Sequence, residues 1–141
     1  MNPMRLEFNV LGDNFTSAGS ASDAVKDQLK KIGISPKDIR RIAIAMYEGE
    51  INMVIHAGGG KAYVEIYPDK AVIILDDKGP GIKDVGLAMQ EGYSTASEQI
   101  RMLGFGAGMG LPNMKKCSDS IDIDTKIGVG TKITMIINFT N

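Results

Sequence analysis

Apolar and polar residues alternate along Leu6-Glu7-Phe8-Asn9-Val10, and this period of two predicts a first strand ending at Gly12-Asp13-Asn14. The small, polar stretch from Thr16 to Ser22 predicts a loop that caps a helix. The period then lengthens. Ala24, Val25, Leu29 and Ile32 recur at helical spacing, which predicts a helix over Ser20 to Lys31 with Gly33 as its stop. Ser35-Pro36-Lys37-Asp38 is a helix start, with Ser35 as N-cap, Pro36 at the first helical position and Asp38 as a capping-box acid. That helix runs from Pro36 to about His56 and ends at Gly58-Gly59-Gly60. It is apolar round most of its circumference, which predicts the central packed helix.

Ala62, Val64 and Ile66 alternate with Tyr63, Glu65 and Tyr67, predicting a strand with one buried face. Pro68-Asp69-Lys70 turns the chain, and the unbroken apolar run Ala71 to Leu75 predicts a strand buried on both faces. Lys83 to Met89 predicts a short helix. Glu91 to Leu103 has little periodicity and much Gly, Ser and Thr, so it reads as a mobile loop of a length that is usually functional or disordered. Leu111 to Cys117 predicts a helix. Ile121, Ile123 and Thr125 alternate with Asp122 and Asp124, and Gly128-Val129-Gly130 turns into a last strand through Ile133, Met135, Ile137 and Phe139. The order β-α-α-β-β-(α)-loop-α-β-β predicts an α+β fold. It is a two-layer α/β sandwich, with a mostly antiparallel mixed sheet and helices on one face.

The chain has 141 residues, expected to form one domain over 1–141, and its 43% hydrophobic content can fill a core. A formal charge of −1 gives no field for nucleic acid or anionic lipid. Cys117 is the only cysteine, so no internal disulfide forms and a reducing compartment fits. The first ten residues carry Arg5 and Glu7, unlike a secretory signal, and no stretch reaches the ~18 apolar residues of a membrane span. A soluble cytoplasmic protein is expected.

Three stretches can carry chemistry. Glu48 and Asn52 are four apart on the central helix and share a face. Glu50 lies about 200° round from each, on the opposite side, so it is the acid that can be solvated while the pair points inward. A carboxylate beside an amide oxygen suits a hard cation such as Mg²⁺ or Ca²⁺. Asp76-Asp77-Lys78-Gly79-Pro80-Gly81 ends the apolar strand. A carboxylate there can accept a hydrogen bond from an exocyclic amine such as that of adenine. Gly104, Gly106, Gly108 and Gly110 precede a helix, and exposed N–H groups with a helix N-terminus make an anion site. No Gly-Lys-Ser/Thr tripeptide occurs, which excludes a P-loop.

This ordered set resembles the ATP-binding domains of the GHKL or Bergerat-fold superfamily, which includes gyrase B, MutL and sensor histidine kinases. There a helix carries Glu-x-x-x-Asn, a strand ends in Asp-x-Gly-x-Gly, and a glycine box follows a lid. Gly128-Val129-Gly130-Thr131 is similar to the element that closes the set. The compact chain, with Gly92-Tyr93-Ser94-Thr95 and Gly108-Met109-Gly110-Leu111-Pro112-Asn113, looks like the anti-sigma-factor and switch-protein serine kinases. The resemblance implies that Asp77 receives the adenine amine, with Thr131 helping through a water, and that Gly79 and Gly81 shape the adenine side. It implies that Asn52 holds Mg²⁺ and that Glu48 is the general base. Gly104, Gly106, Gly108 and Gly110 would wrap the phosphates.

The implied function is an Mg-ATP-dependent serine/threonine protein kinase that phosphorylates a small, STAS-like anti-sigma antagonist. The alternative is a non-catalytic module that uses ATP to sequester a partner such as a sigma factor. The expected partners are therefore ATP and a protein, with a homodimer open and with neither nucleic acid nor membrane. His56, the only histidine, is expected to cap the central helix. Arg101, Lys115 and Lys116 are candidate cations for the transferred phosphate by location only.

Overall fold

The structure is a computed structural model that describes residues 3–12, 19–82, 85–89 and 110–140. Among the described residues five strands form one sheet in the order β1-β2-β3-β5-β4. They are β1 (Met4–Leu11), β2 (Gly59–Ile66), β3 (Lys70–Asp77), β4 (Ser120–Lys126) and β5 (Gly130–Asn138). Among the described residues every pairing is antiparallel, in keeping with the mostly antiparallel sheet expected from the sequence. The helices among the described residues are α1 (Ser20–Lys31), α2 (Pro36–His56), α3 (Val85–Ala88) and α4 (Gly110–Cys117). Of the expected helix at Lys83 to Met89, α3 lies among the described residues; Lys83 and Asp84 lie outside them. The loop Glu91 to Leu103 lies outside the described residues.

The helices cover one face of the sheet. Ala62, Val64, Ala71, Ile73, Met135 and Ile137 are fully buried beneath Leu29, Ile42, Met46 and Met114. The reverse face explains why β3 is not buried on both sides as expected. Ala71, Ile73 and Leu75 are buried, while Val72 and Ile74 are half-buried on a face that no helix among the described residues covers. Neighbouring strands still shield them, because register places Val72 between Glu65 and Ile136, and Ile74 between Tyr63 and Thr134. One row of that outer face alternates in charge across four strands, as Lys61, Asp76, Lys132 and Asp124. Strand alternation therefore turns Asp76 outward and Asp77 toward the helices.

Local chemistry fixes α2 as the sequence predicts. Ser35 has extended backbone and its side chain accepts from the Asp38 N–H, with Pro36 in the first turn. Asp38 then does more than cap. It is 1% exposed, accepts from Thr140 through both N–H and hydroxyl, and faces Arg41 at 3.5 Å. Burial pushes its carboxyl up, but the Thr140 and Ser35 donors and the Arg41 charge together hold it below the ordinary value. This clasp ties the end of β5 to the start of α2. Helix α1 ends at Gly33, whose φ of +82 lets the Ile34 N–H reach the Leu29 carbonyl at 3.1 Å.

The start of α1 departs from expectation. Its N-cap, Gly19, makes no side-chain cap. The cap comes from Glu50, 31 residues away on α2. Glu50 Oε2 accepts from Gly19 N at 3.1 Å and Ala21 N at 3.3 Å, and Oε1 accepts from Ser22 N at 2.7 Å. Glu50 is 2% exposed, so the acid expected to be solvated is the buried one. The reason is the tertiary position of α1. Its N-terminus offers orphan N–H donors to the inner face of α2, where a carboxylate satisfies three of them.

Candidate functional site

Glu48 and Asn52 occupy the other face of α2 and are both half-buried. Helix α4 begins against them. A Cβ placed on Gly110 would stand 3.7 Å from Glu48 Oε2 and 3.8 Å from Asn52 Oδ1, so Gly110 brings the helix start directly over this pair. Asn113, one turn along α4, donates from Nδ2 to Glu48 Oε1 at 3.4 Å. The sequence reading gave Asn113 no role; its place three residues after the last glycine of the box was the available signal. Burial pushes the Glu48 carboxyl above its ordinary value of 4.5, and the Asn113 hydrogen bond pulls it partly back.

A second group of residues forms a cup between the C-terminal half of α2 and the ends of β3 and β5. Asn52, His56, Leu75, Asp77, Gly81 and Thr131 line it. Asp77 is oriented by two N–H donors on its Oδ1, from Gly79 at 2.9 Å and Thr131 at 3.2 Å. Gly79 therefore acts through Asp77 and packs on Ala57, while Gly81 lines the cup with φ +83. Thr131 is 6% exposed and its hydroxyl lies 2.8 Å from that of Thr125. The cup has room of about 40 Å³ and opens outward past Pro80 and Ile82. His56 stands on this wall as well as ending α2, and desolvation lowers its pKa below 6.5.

The structure thus joins Asn52 to both groups, with Glu48 and Gly110 on one side and Asp77 and Thr131 on the other. Gly104, Gly106, Gly108 and Arg101 lie outside the described residues. Lys115 and Lys116 are exposed on α4.

Gly130 sets the spacing of the Asp77 group. Its φ is +146, and a Cβ there would overlap the Asp77 carbonyl oxygen. Gly130→Ala is expected to destabilise the fold by about 2 kcal/mol through backbone strain and displacement of β3. A thermal melt and a nucleotide titration on the same sample measure both effects.

The sequence profile of the histidine kinase-like ATPase domain matches residues 14–137. The chain belongs to that family. Members of the histidine kinase-like ATPase family bind ATP, and this chain's similarities within the family point to bacterial regulators. It is 33% identical to the serine/threonine-protein kinase RsbT of Bacillus subtilis (strain 168), over 76% of this chain and 77% of that one. It is 31% identical to the anti-sigma F factor of Caldanaerobacter subterraneus subsp. tengcongensis, over 95% of this chain and 92% of the relative. A crystal structure of RsbU and RsbW domains from Mycobacterium tuberculosis shares the fold at a TM-score of 0.62 and 18% identity. The match covers 98% of this chain and 33% of that longer one. Among the described residues no helix is long and apolar enough to cross a membrane.

The oxygen donors present are of the kind that would hold a magnesium ion shared with a nucleotide. Among the described residues no cluster of three or more His, Cys, Asp or Glu side chains forms a cage. Mg²⁺ usually takes one or two protein oxygens and completes its shell with water and phosphate, and Asn52 Oδ1, with the Glu48 carboxylate also facing the start of α4, could supply such a set.

Proposed function

We propose that this protein is an Mg-ATP-dependent serine/threonine protein kinase of the anti-sigma and switch type, acting on a small STAS-like antagonist protein. The observation that carries this reading is that Glu48 Oε2 and Asn52 Oδ1 both face the start of α4, at 3.7 and 3.8 Å from where a Cβ on Gly110 would stand. A base, a metal ligand and a glycine-led helix N-terminus so placed suit phosphoryl transfer, which needs positioning and charge neutralisation above all.

In the proposed reaction, a hydroxyl oxygen of the partner attacks the γ-phosphorus of ATP. The new O–P bond forms as the bond to the β-phosphate bridging oxygen breaks, and ADP leaves. Glu48 takes the hydroxyl proton, and its raised pKa makes it a stronger base than an ordinary glutamate. Asn52 would hold Mg²⁺, which would supply charge neutralisation on the phosphates. Asp77, oriented by Gly79 and Thr131, accepts from the adenine amine.

The pH dependence follows from the direction of the shift. The base must be ionised, so transfer rises with pH through a Glu48 pKa above 4.5 and then levels off. Asn113→Ala removes the donor that lowers this pKa. It is expected to move the acid limb to higher pH. An unmoved limb in kcat/KM profiles would count against Glu48 as the base.

The test of the whole reading is transfer of label from radioactive ATP to a purified antagonist protein, with ADP formed in step. A second reading is favoured by the relatives named as anti-sigma factors, which match over more of this chain. In it, ATP is a conformational ligand and a sigma factor is sequestered. Tight Mg-ATP binding with no ADP under any condition selects that reading.

A further inference from the structure

A second, larger concavity lies on the helical side of the molecule, and the nucleotide site does not use most of it. Helices α1 and α2 leave between them a groove of about 720 Å³. It is polarised along its length. Glu48 and Asp23 line one end, with Tyr47 beside them. Lys26, Lys30 and Arg40 line the rest, over an apolar floor that includes Ile39. Tyr47, Lys30 and Arg40 are exposed, and the Tyr47 ring is held on one side by Gly19, where a Cβ would come within 3.1 Å of it. Eight residues separate Arg40 from Glu48 on α2, a rise of roughly 12 Å. An extended segment crosses that span in about four residues.

We infer that the α1–α2 groove is the docking channel for the protein substrate, and that it takes an acidic segment lying about four residues from the phosphorylated hydroxyl. The inference rests on the kinase reading for the role of Glu48 and adds the substrate class. Charge complementarity selects the occupant. Three cations line the distal part of the groove, while its carboxylates gather at the end where the hydroxyl must arrive. A basic segment would meet Lys26, Lys30 and Arg40. A wholly apolar one would leave all three desolvated without partners. Glu50 supports the channel from below, because its hold on the α1 N-terminus fixes the wall that carries Ser22 and Asp23.

The test uses labelled peptides with one serine and three glutamates about four positions away, in either order, and the same peptides with lysine in place of glutamate. Binding is measured by fluorescence anisotropy with a non-hydrolysable ATP analogue and Mg²⁺ present. The acidic peptide is expected to bind and to weaken with added salt, and the lysine peptide to fail. Lys30→Glu with Arg40→Glu is expected to weaken the acidic peptide by about tenfold or more. Nucleotide affinity and melting temperature should hold. Lys30→Gln with Arg40→Gln serves if the reversal does not fold. Equal binding of both peptides, no binding of the acidic one, or indifference to the substitutions overturns the inference. So does self-association that the reversal abolishes, which would make a second copy the occupant. Acidic peptide bound but never phosphorylated sinks the kinase reading and leaves the groove. Undiminished transfer to a partner protein by the charge-reversed variant does the opposite.

Discussion

Glu48→Ala should reduce phosphoryl transfer by roughly 10²–10⁴-fold, the range that a positioned general base contributes, while nucleotide binding persists. Asn52→Ala should fail earlier, at Mg-ATP binding itself. The two residues lie a similar distance from Gly110, yet their expected defects differ in kind. In the proposed reaction Glu48 takes the proton of the incoming hydroxyl, so its loss should lower kcat. Asn52 borders both the Glu48 side and the cup that holds Asp77, so under the proposed mechanism its loss should disconnect nucleotide and metal. Single-turnover transfer and a magnesium-dependent nucleotide titration separate them. Ligand at ~100 times its dissociation constant stabilises a protein by roughly 2.7 kcal/mol, so a melting shift with Mg-ATP in wild type and none in Asn52→Ala is a direct readout. Unchanged transfer in both variants would remove the assigned roles.

Glu50→Ala should cost about 4 kcal/mol of stability, and more than any surface change on the same helix. The carboxylate is buried and accepts three backbone N–H bonds, so its removal strands the donors of Gly19, Ala21 and Ser22. For a chain of this size the melting temperature should fall by roughly 10 °C. Glu50→Gln keeps one acceptor oxygen but turns an amide toward another donor, so an intermediate loss is expected. The pH dependence has a definite sign. Burial holds Glu50 above its ordinary 4.5 despite the three donors. The proton-linked part of its contribution is therefore fully present below pH 4.5 and is lost as pH rises through the folded value, while the three N–H bonds to the carboxylate remain. Glu50→Gln should flatten that slope in chemical denaturation series. A melting temperature for Glu50→Ala within a degree or two of wild type would show that the α1 N-terminus finds other partners.

The sequence made the element order and the helix faces legible, because these are properties of periodicity and of local caps. Ser35-Pro36 and Gly33 act on their nearest neighbours, and α1 and α2 take the predicted bounds. The four-residue spacing of Glu48 and Asn52 places them together in any helix, and strand alternation separates Asp76 from Asp77 in any sheet. By itself, then, the chain determined which side chains share a face.

What a face meets depends on packing between segments far apart in sequence. A helical wheel puts Glu50 opposite Glu48 but cannot say which side is wet, and only the arrival of α1 makes the Glu50 side dry. The run Ala71 to Leu75 is apolar throughout, yet one of its faces is left without a helix among the described residues. Asn113 gains its contact with Glu48 across 65 residues, and Lys26, Lys30 and Arg40 become one surface only when α1 lies beside α2. These are long-range contacts whose desolvation and hydrogen bonding have no local signature, and tertiary structure alone decided them.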